Sequence, residues 1–259
     1  MNLPRRVAII QARMSSSRFP GKMLKPLRGV PLIEFMVRRV RKAALPAQIV
    51  VATSSDATDD VLAEFCESLE VSCYRGSLDD VLDRFYRSAE QSRADQIVRL
   101  TGDCPLMDGD LIDRAIHELS VRDLDYVSNV RRPSYPDGLD VEAFTMTALR
   151  VAWRDSQLMS QREHVTPYFR DPRAGFKVGD FMAIADHSQF RWTIDHADDL
   201  MHVESMLATA GVTDPIKFDR FDLFRAIEKH GIAIGAGHSR NAGYLQSLAN
   251  DPPSTSGAE

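Results

Sequence analysis

The chain has 259 residues, 44% of them hydrophobic and 27% charged, enough apolar material for one large globular domain or a domain with a small appendage. Its net charge of −5 argues against the basic face on which general nucleic-acid binding depends. Cys66, Cys73 and Cys104 show no C-x-x-C spacing, which argues against disulfides and a zinc site, and no apolar run reaches the length of a membrane span or signal-peptide core, so a reducing cytoplasm is expected.

Val7–Ile10 is a short apolar run that predicts a buried strand. The polar loop behind it carries Arg13, Arg18 and Lys22, the serines Ser15, Ser16 and Ser17, and the turn Pro20-Gly21. Such a loop at the carboxyl end of the first strand of an α/β sheet lies where ligands bind. Its hydroxyls, N–H groups and cations suit a polyphosphate, whose oxygens accept charge-assisted hydrogen bonds; a solvated basic loop is the alternative. It is not a Walker A loop, because no glycine stands five positions before Gly21 and Met23 replaces the required Ser or Thr.

The spacing of Ile33, Met36, Val37 and Val40 predicts a helix over 31–44, with the cations of 38–42 at its solvated end. A second strand (48–52) runs into Thr53 and a polar turn that caps a helix over 59–69. A third strand (71–74) is followed by Arg75 and by Ser77, which with Asp80 starts the next helix. A fourth strand (96–100) ends in Thr101-Gly102-Asp103-Cys104-Pro105, a carboxylate held at the sheet's carboxyl edge. That position suits a magnesium ion bound through one or two carboxylates and phosphate oxygens; capping of the next helix is the rival role, better filled by Asp108 and Asp110. A helix (108–119) and a fifth strand (125–130) complete the rhythm.

The βα alternation then breaks at the Pro-rich loop 131–144, where Asp140 and Glu142 stand two apart and point to one face of an extended segment. They are placed to bind substrate hydroxyls or an amine, or else to hold the Arg131-Arg132 pair or a dimer partner. A helix (145–155), Arg162 and His164, strands over 181–185 and 190–194, a helix over 197–210, a helix over 218–229 and a short strand over 232–234 follow. Asp195 ends the strand before the helix at Ala197, which it is placed to cap. His196 and His202 share no helical face, which argues against zinc.

The run Gln11–Leu24 resembles the nucleotide-binding signature of the CMP-sugar synthetases, the acylneuraminate and 3-deoxy-manno-octulosonate cytidylyltransferases, and most of all the spore-coat polysaccharide biosynthesis protein F group. Three further phrases agree in order: the Gly-Asp-x-Pro around Asp103, the Pro-Asp-Gly-Leu-Asp-Val-Glu of 136–142 and the Ile-Asp-x-x-x-Asp-Leu of 194–200. Arg162-Glu-His-Val-Thr-Pro and Arg240-Asn-Ala-Gly-Tyr are also similar to segments of these relatives. The resemblance implies a three-layer α/β/α nucleotide-diphospho-sugar transferase fold with a mixed, mostly parallel sheet. It implies one domain over 1–248 with an acceptor and dimerisation excursion at 131–190, then a disordered tail over 249–259.

By the same resemblance CTP is bound by Ala12, Arg13, Ser15, Ser16, Ser17, Arg18, Lys22, Thr53, Arg75, Ser77, Thr101 and Gly102. Asp103 and Asp195 hold Mg2+, Arg13 and Lys22 act with them in catalysis, and Asp140, Glu142, Arg162 and His164 meet the acceptor. The implied enzyme transfers CMP from CTP to a sugar acid or similar acceptor in surface-polysaccharide synthesis, as a cytoplasmic homodimer without membrane or nucleic-acid partners. A glycosyltransferase of similar fold would carry an Asp-x-Asp pair, where this chain has Cys104 and Pro105 after Asp103. A nucleotide-binding protein without turnover is the other alternative, against which the intact pair Asp103 and Asp195 speaks.

Overall fold

The computed structural model describes residues 3–233, 235, 237–240 and 242–252. In chain order the elements are β1 (Arg6–Gln11), the short ribbon β2 (Pro26–Leu27) and β3 (Val30–Pro31), α1 (Leu32–Val40), β4 (Gln48–Ser54), α2 (Asp60–Ser68), β5 (Ser72–Gly76), α3 (Val81–Gln91) and β6 (Gln96–Thr101). There follow α4 (Gly109–Val121), β7 (Tyr126–Ser128), β8 (Glu142–Thr145), α5 (Met146–Asp155), α6 (Met159–His164), β9 (Val178–Asp180), α7 (Ala197–Thr209), α8 (Arg220–His230) and α9 (Ala242–Asn250).

The main sheet has the order β5-β4-β1-β6-β8-β7-β9, and β8 alone runs against its neighbours. β1 lies inside it and is fully buried over Val7–Ile10. Ala8 and Ile10 join the core shared with α1, α2, α4, α7 and α8, while Val7 and Ile9 join the core shared with α3 and α5. A strand covered on both faces reads as one continuous apolar run, which is why the first strand is legible without alternation. The expected three-layer mixed sheet is therefore present. Gln11 pairs with Ala52 on β4 and Thr101 on β6, so the carboxyl ends of three parallel strands meet at one level. β8 enters that edge from the opposite direction, bringing Glu142 level with Arg99.

The strands expected over 181–185 and 190–194 are not formed. The sheet edge is taken instead by β9, which pairs with β7 and at Gly179 leaves room for the Leu124 side chain. The segment 190–194 sends its hydrogen bonds to loops: Trp192 N–H to the Asp137 carbonyl at 2.6 Å and Ile194 N–H to the Asp103 carbonyl at 2.8 Å. The helix expected over 31–44 stops at Val40, and its basic end is not wholly solvated. Arg39 is buried, donates to the carbonyls of Met107, Pro215 and Phe218, and stacks on Phe218 at 4.0 Å. Burial lowers its guanidinium to about 10, against the pull of Asp108 and Asp219. The strand expected over 232–234 falls partly outside the described residues, as do residues 253–259 of the expected tail; 249–250 close α9.

Candidate active site

Backbone contacts close the loop after β1 on itself. Gly21 N–H donates to the Met14 carbonyl at 2.9 Å, and Gly21 takes a φ of +72°, a left-handed conformation that glycine adopts without strain. The buried Asp59 carboxylate accepts Met14 N–H at 2.6 Å and Ser54 N–H at 3.1 Å, tying the loop to the end of β4. Gly102 packs against β1 so closely that a Cβ would lie 2.8 Å from Met23 Sδ and 3.1 Å from the Gln11 carbonyl. These contacts set Ala12, Arg13, Ser16, Ser17, Arg18 and Lys22 along one side of a cleft of about 1120 Å³. Ligand pockets run to roughly 1,000 Å³, so this one has room for a nucleotide and an acceptor together.

Three charged groups from distant parts of the chain meet in it. Lys22 Nζ lies 3.4 Å from Asp103 Oδ2 and 3.1 Å from Asp195 Oδ1, and donates to the Ile194 carbonyl at 2.9 Å. Arg18 reaches the same Asp195 oxygen at 2.9 Å. The two carboxylates are neighbours because the Asp103 carbonyl accepts both Ile194 N–H and, at 3.1 Å, the Thr193 hydroxyl. Burial pushes the Asp195 carboxyl up, but Lys22 and Arg18 outweigh it and hold the group down at about 2. Asp195 is therefore ionised throughout the neutral range. Arg13 lines the cleft and makes no ion pair among the described residues.

Two residues outside the predicted set fix this pair. The fully buried Asp199 accepts Asp195 N–H at 2.9 Å, His196 N–H at 3.0 Å and Arg191 Nε at 2.9 Å. Arg191 continues to Asp137 at 2.7 Å and to Asp195 at 3.4 Å. Asp199 is the second acid of Ile-Asp-x-x-x-Asp-Leu, so its place in the motif was visible, whereas nothing local to Arg191 or Asp137 announces their meeting.

The acceptor-side candidates line the same cleft, each with a partner. Glu142 is buried between Arg99 and Arg170, with Arg170 at 3.1 Å and the Tyr126 hydroxyl at 2.5 Å. Asp140 accepts from Arg240, and Arg162 pairs with Asp80. His164 Nε2 lies 3.0 Å from the Ser247 hydroxyl. Burial pushes the Asp140 carboxyl up to about 7; Arg240 opposes this, while Asp137, Glu142 and Asp103 add to it. The pair Arg131-Arg132 approaches Asp180 instead of either acid, so the reading in which Asp140 and Glu142 hold those arginines is set aside.

Thr101 and Gly102 line the cleft, but Ser15, Thr53, Arg75 and Ser77 do not. Thr53 is fully buried in β4, and Arg75 donates to the carbonyls of Ser54 and Asp56 and pairs with Asp60. The Ser77 hydroxyl accepts Asp80 N–H at 3.1 Å at the start of α3.

Among the described residues, His196, Asp198 and His238 place potential metal-ligand atoms within 4.8 Å of one another. The two imidazoles stack at 4.0 Å with 19° between their planes. A ligating lone pair lies in its ring plane, and planes so nearly parallel do not meet about 2 Å from both nitrogens, the reach of a metal bond. The group is a fastening, with His238 Nε2 3.0 Å from Asp198 Oδ2.

A loop of serines and cations faces two converging carboxylates, and residues 7–228 match the family model described as cytidylyltransferase. The chain belongs to the cytidylyltransferase family. It is 36% identical over 213 residues to the spore coat polysaccharide biosynthesis protein SpsF of Bacillus subtilis, covering 78% of this chain and 86% of that one. To the 3-deoxy-manno-octulosonate cytidylyltransferase of Chlorobaculum tepidum it is 42% identical over 110 residues, 42% of this chain and 44% of that one. The solved cytidylyltransferase of Leptospira borgpetersenii superposes with a TM-score of 0.85 at 29% identity, covering 92% of this chain and all of that one. Cytidylyltransferase membership selects an enzyme that makes a nucleotide conjugate over a glycosyltransferase that consumes one. No helix among the described residues is long and apolar enough to cross a membrane.

Proposed function

We propose that the enzyme transfers CMP from CTP to an acidic sugar, releasing pyrophosphate, in the synthesis of a surface polysaccharide. An acceptor oxygen forms a bond to the α-phosphorus while the bond from that phosphorus to the bridging oxygen breaks, and the electron pair leaves with pyrophosphate. Such a reaction asks the protein chiefly for alignment and for neutralisation of charge as it develops. The observation that carries the reading is Lys22, buried between Asp103 and Asp195 at the head of a loop that also presents Arg13, Arg18, Ser16 and Ser17.

In this reading Arg13, Arg18 and Lys22 take the β- and γ-phosphate charge, and the serine hydroxyls donate to phosphate oxygens. Asp103 and Asp195 fit a hard divalent cation: their carboxylate oxygens already converge on one ammonium group, and oxygen ligands are what magnesium requires. When bound, Mg2+ supplies further positive charge on the phosphate oxygens. Asp199 and Arg191 keep Asp195 in place.

We also assign the enzyme to the cytoplasm as a homodimer, joined through the 131–190 excursion, where Met182 and Ile184 are exposed; light scattering tests the mass. The test of function is the thermal midpoint against CTP, UTP, GTP and ATP, with and without Mg2+, because a ligand of the native state raises it. A magnesium-dependent rise with CTP alone, followed by pyrophosphate release with 3-deoxy-manno-octulosonate or N-acetylneuraminate, is the expected result. A flat response to CTP overturns the reading.

A further inference from the structure

Beyond residue 228, where the family match ends, the chain turns back across the cleft. Residues 238–240 and α9 form a strap over its mouth and place His238, Tyr244, Ser247 and Asn250 in its lining. This helix buries no residue, and Leu245 and Leu248 face solvent. Nine residues with no buried face do not form a stable helix alone, so contacts to the body must hold α9 in place.

Those contacts are polar. His238 bonds Asp198, and Arg240 pairs with Asp140 and donates to the Tyr135 carbonyl at 3.3 Å. The Ser247 hydroxyl donates to Glu163 at 2.6 Å and meets His164 at 3.0 Å, and Asp251 accepts Ser160 N–H at 3.1 Å. The ring of Tyr244 stands edge-on to His164 at 5.1 Å and lies 5.9 Å from the Arg170 guanidinium. Most of these partners belong to the acceptor side of the cleft. Toward the loop after β1 the strap brings Gly243, where a Cβ would lie 3.8 Å from Arg18, and His238, which stacks on His196.

We propose that this strap is the acceptor-specificity element of the enzyme, closing over a polyhydroxylated acid while the body alone binds the nucleotide. The inference rests on the cytidylyltransferase reading above. Hydroxyl recognition is supplied by Ser247 and His164 and by the Arg240–Asp140 pair, and the Tyr244 ring offers an apolar edge to the sugar carbons. Acid recognition is supplied below the strap, where Arg99 and Arg170 share the single carboxylate of Glu142 and leave one positive charge uncompensated. An acceptor carboxylate completes that balance by charge-assisted hydrogen bonds.

The test uses the full chain with Tyr244→Ala, Ser247→Ala and Arg240→Gln, followed by pyrophosphate release with 3-deoxy-manno-octulosonate and N-acetylneuraminate as probes. Loss of one or two polar contacts corresponds to a rise of roughly tenfold in acceptor KM, with the KM for CTP and the CTP-induced thermal shift held within about twofold. Unchanged acceptor KM in all three variants, or an equal rise in the KM for CTP, overturns the proposal. An intact enzyme that binds CTP and converts neither acid overturns the acceptor class named here. An intact enzyme that does not bind CTP overturns the reading of the site itself.

Discussion

Main-chain groups hold much of the loop after β1, with Gly21 N–H on the Met14 carbonyl and Gly102 N–H on the Gln11 carbonyl at 2.8 Å. Around Glu142 the fixing groups are side chains that meet only in the fold: Arg99 on β6, Arg170 after α6, Tyr126 on β7 and, next to them, Arg240 from the strap. A backbone-fastened loop tolerates exchange of most of its side chains without losing shape. A network of buried ion pairs does not, because removing one partner strands the other's charge in a poorly solvated place. The loop's backbone should therefore survive exchange of its side chains, whereas losing a partner at Glu142, or in the Lys22–Asp103–Asp195 cluster, should also cost stability.

The sharpest break is in the phosphate half. Lys22→Ala and Asp103→Asn are each expected to lower kcat by about 10³-fold, the scale seen when one group stabilising transition-state charge is removed, with a native circular dichroism spectrum. A fully active variant of either removes the basis for the mechanism. In the acceptor half, Glu142→Ala leaves Arg99 and Arg170 unpaired and is expected to lower unfolding free energy by ~3–5 kcal/mol, read from urea titration. A cost below about 1 kcal/mol would mean that the triad is as soft as a surface pair.

Asp199→Asn tests the boundary between the halves. Its charge orients Arg191 and its oxygens hold the Asp195 backbone, so kcat is expected to drop roughly 10–100-fold, as when the supporting partner of a ligand is lost. The pH dependence comes next in size. Asp140 keeps its proton up to about 7 in the fold, whereas an unfolded aspartate loses it near 4. The unfolded chain thus binds fewer protons across that window, and stability falls as pH rises from about 4 to about 7, by at most ~1.4 kcal/mol per pH unit, the limit for a single proton. Asp140→Asn should flatten that slope in thermal melts; an unchanged slope would assign it to another group. The smallest effect belongs to Arg75→Ala, behind the site, which should cost no more than ~1 kcal/mol and leave CTP affinity intact in calorimetry.

The same division decides what could be read from the chain in advance. The first four strands of the sheet's parallel half, the polar loop after β1 and the meeting of Asp103 with Asp195 were legible, because local apolar runs and short motifs specify them. Thr53, Arg75 and Ser77 look like site residues in sequence, since they follow strands on the binding edge. In the fold Thr53 is buried in β4 while Arg75 and Ser77 bind main-chain groups, and none of the three lines the cleft. Arg39 reads as a solvated helix end, yet it is the buried strut on which the 215–218 segment rests. The predicted strand 190–194 has strand-like residues, but its partners are Asp137 and Asp103, positions that no local window contains. Long-range ion pairs such as Arg240–Asp140 leave no periodicity at all.

The lone antiparallel strand has one more implication. Because β8 enters the binding edge head-first while β1, β4 and β6 leave it tail-first, residues 131–141 form a detour that opens and closes beside the site. That detour is fastened to the body: Leu139 and Val141 are buried, Asp137 pairs with Arg191 and Asp140 with Arg240. For anyone redesigning the enzyme, the detour and the strap share the Arg240–Asp140 pair and have to be changed together.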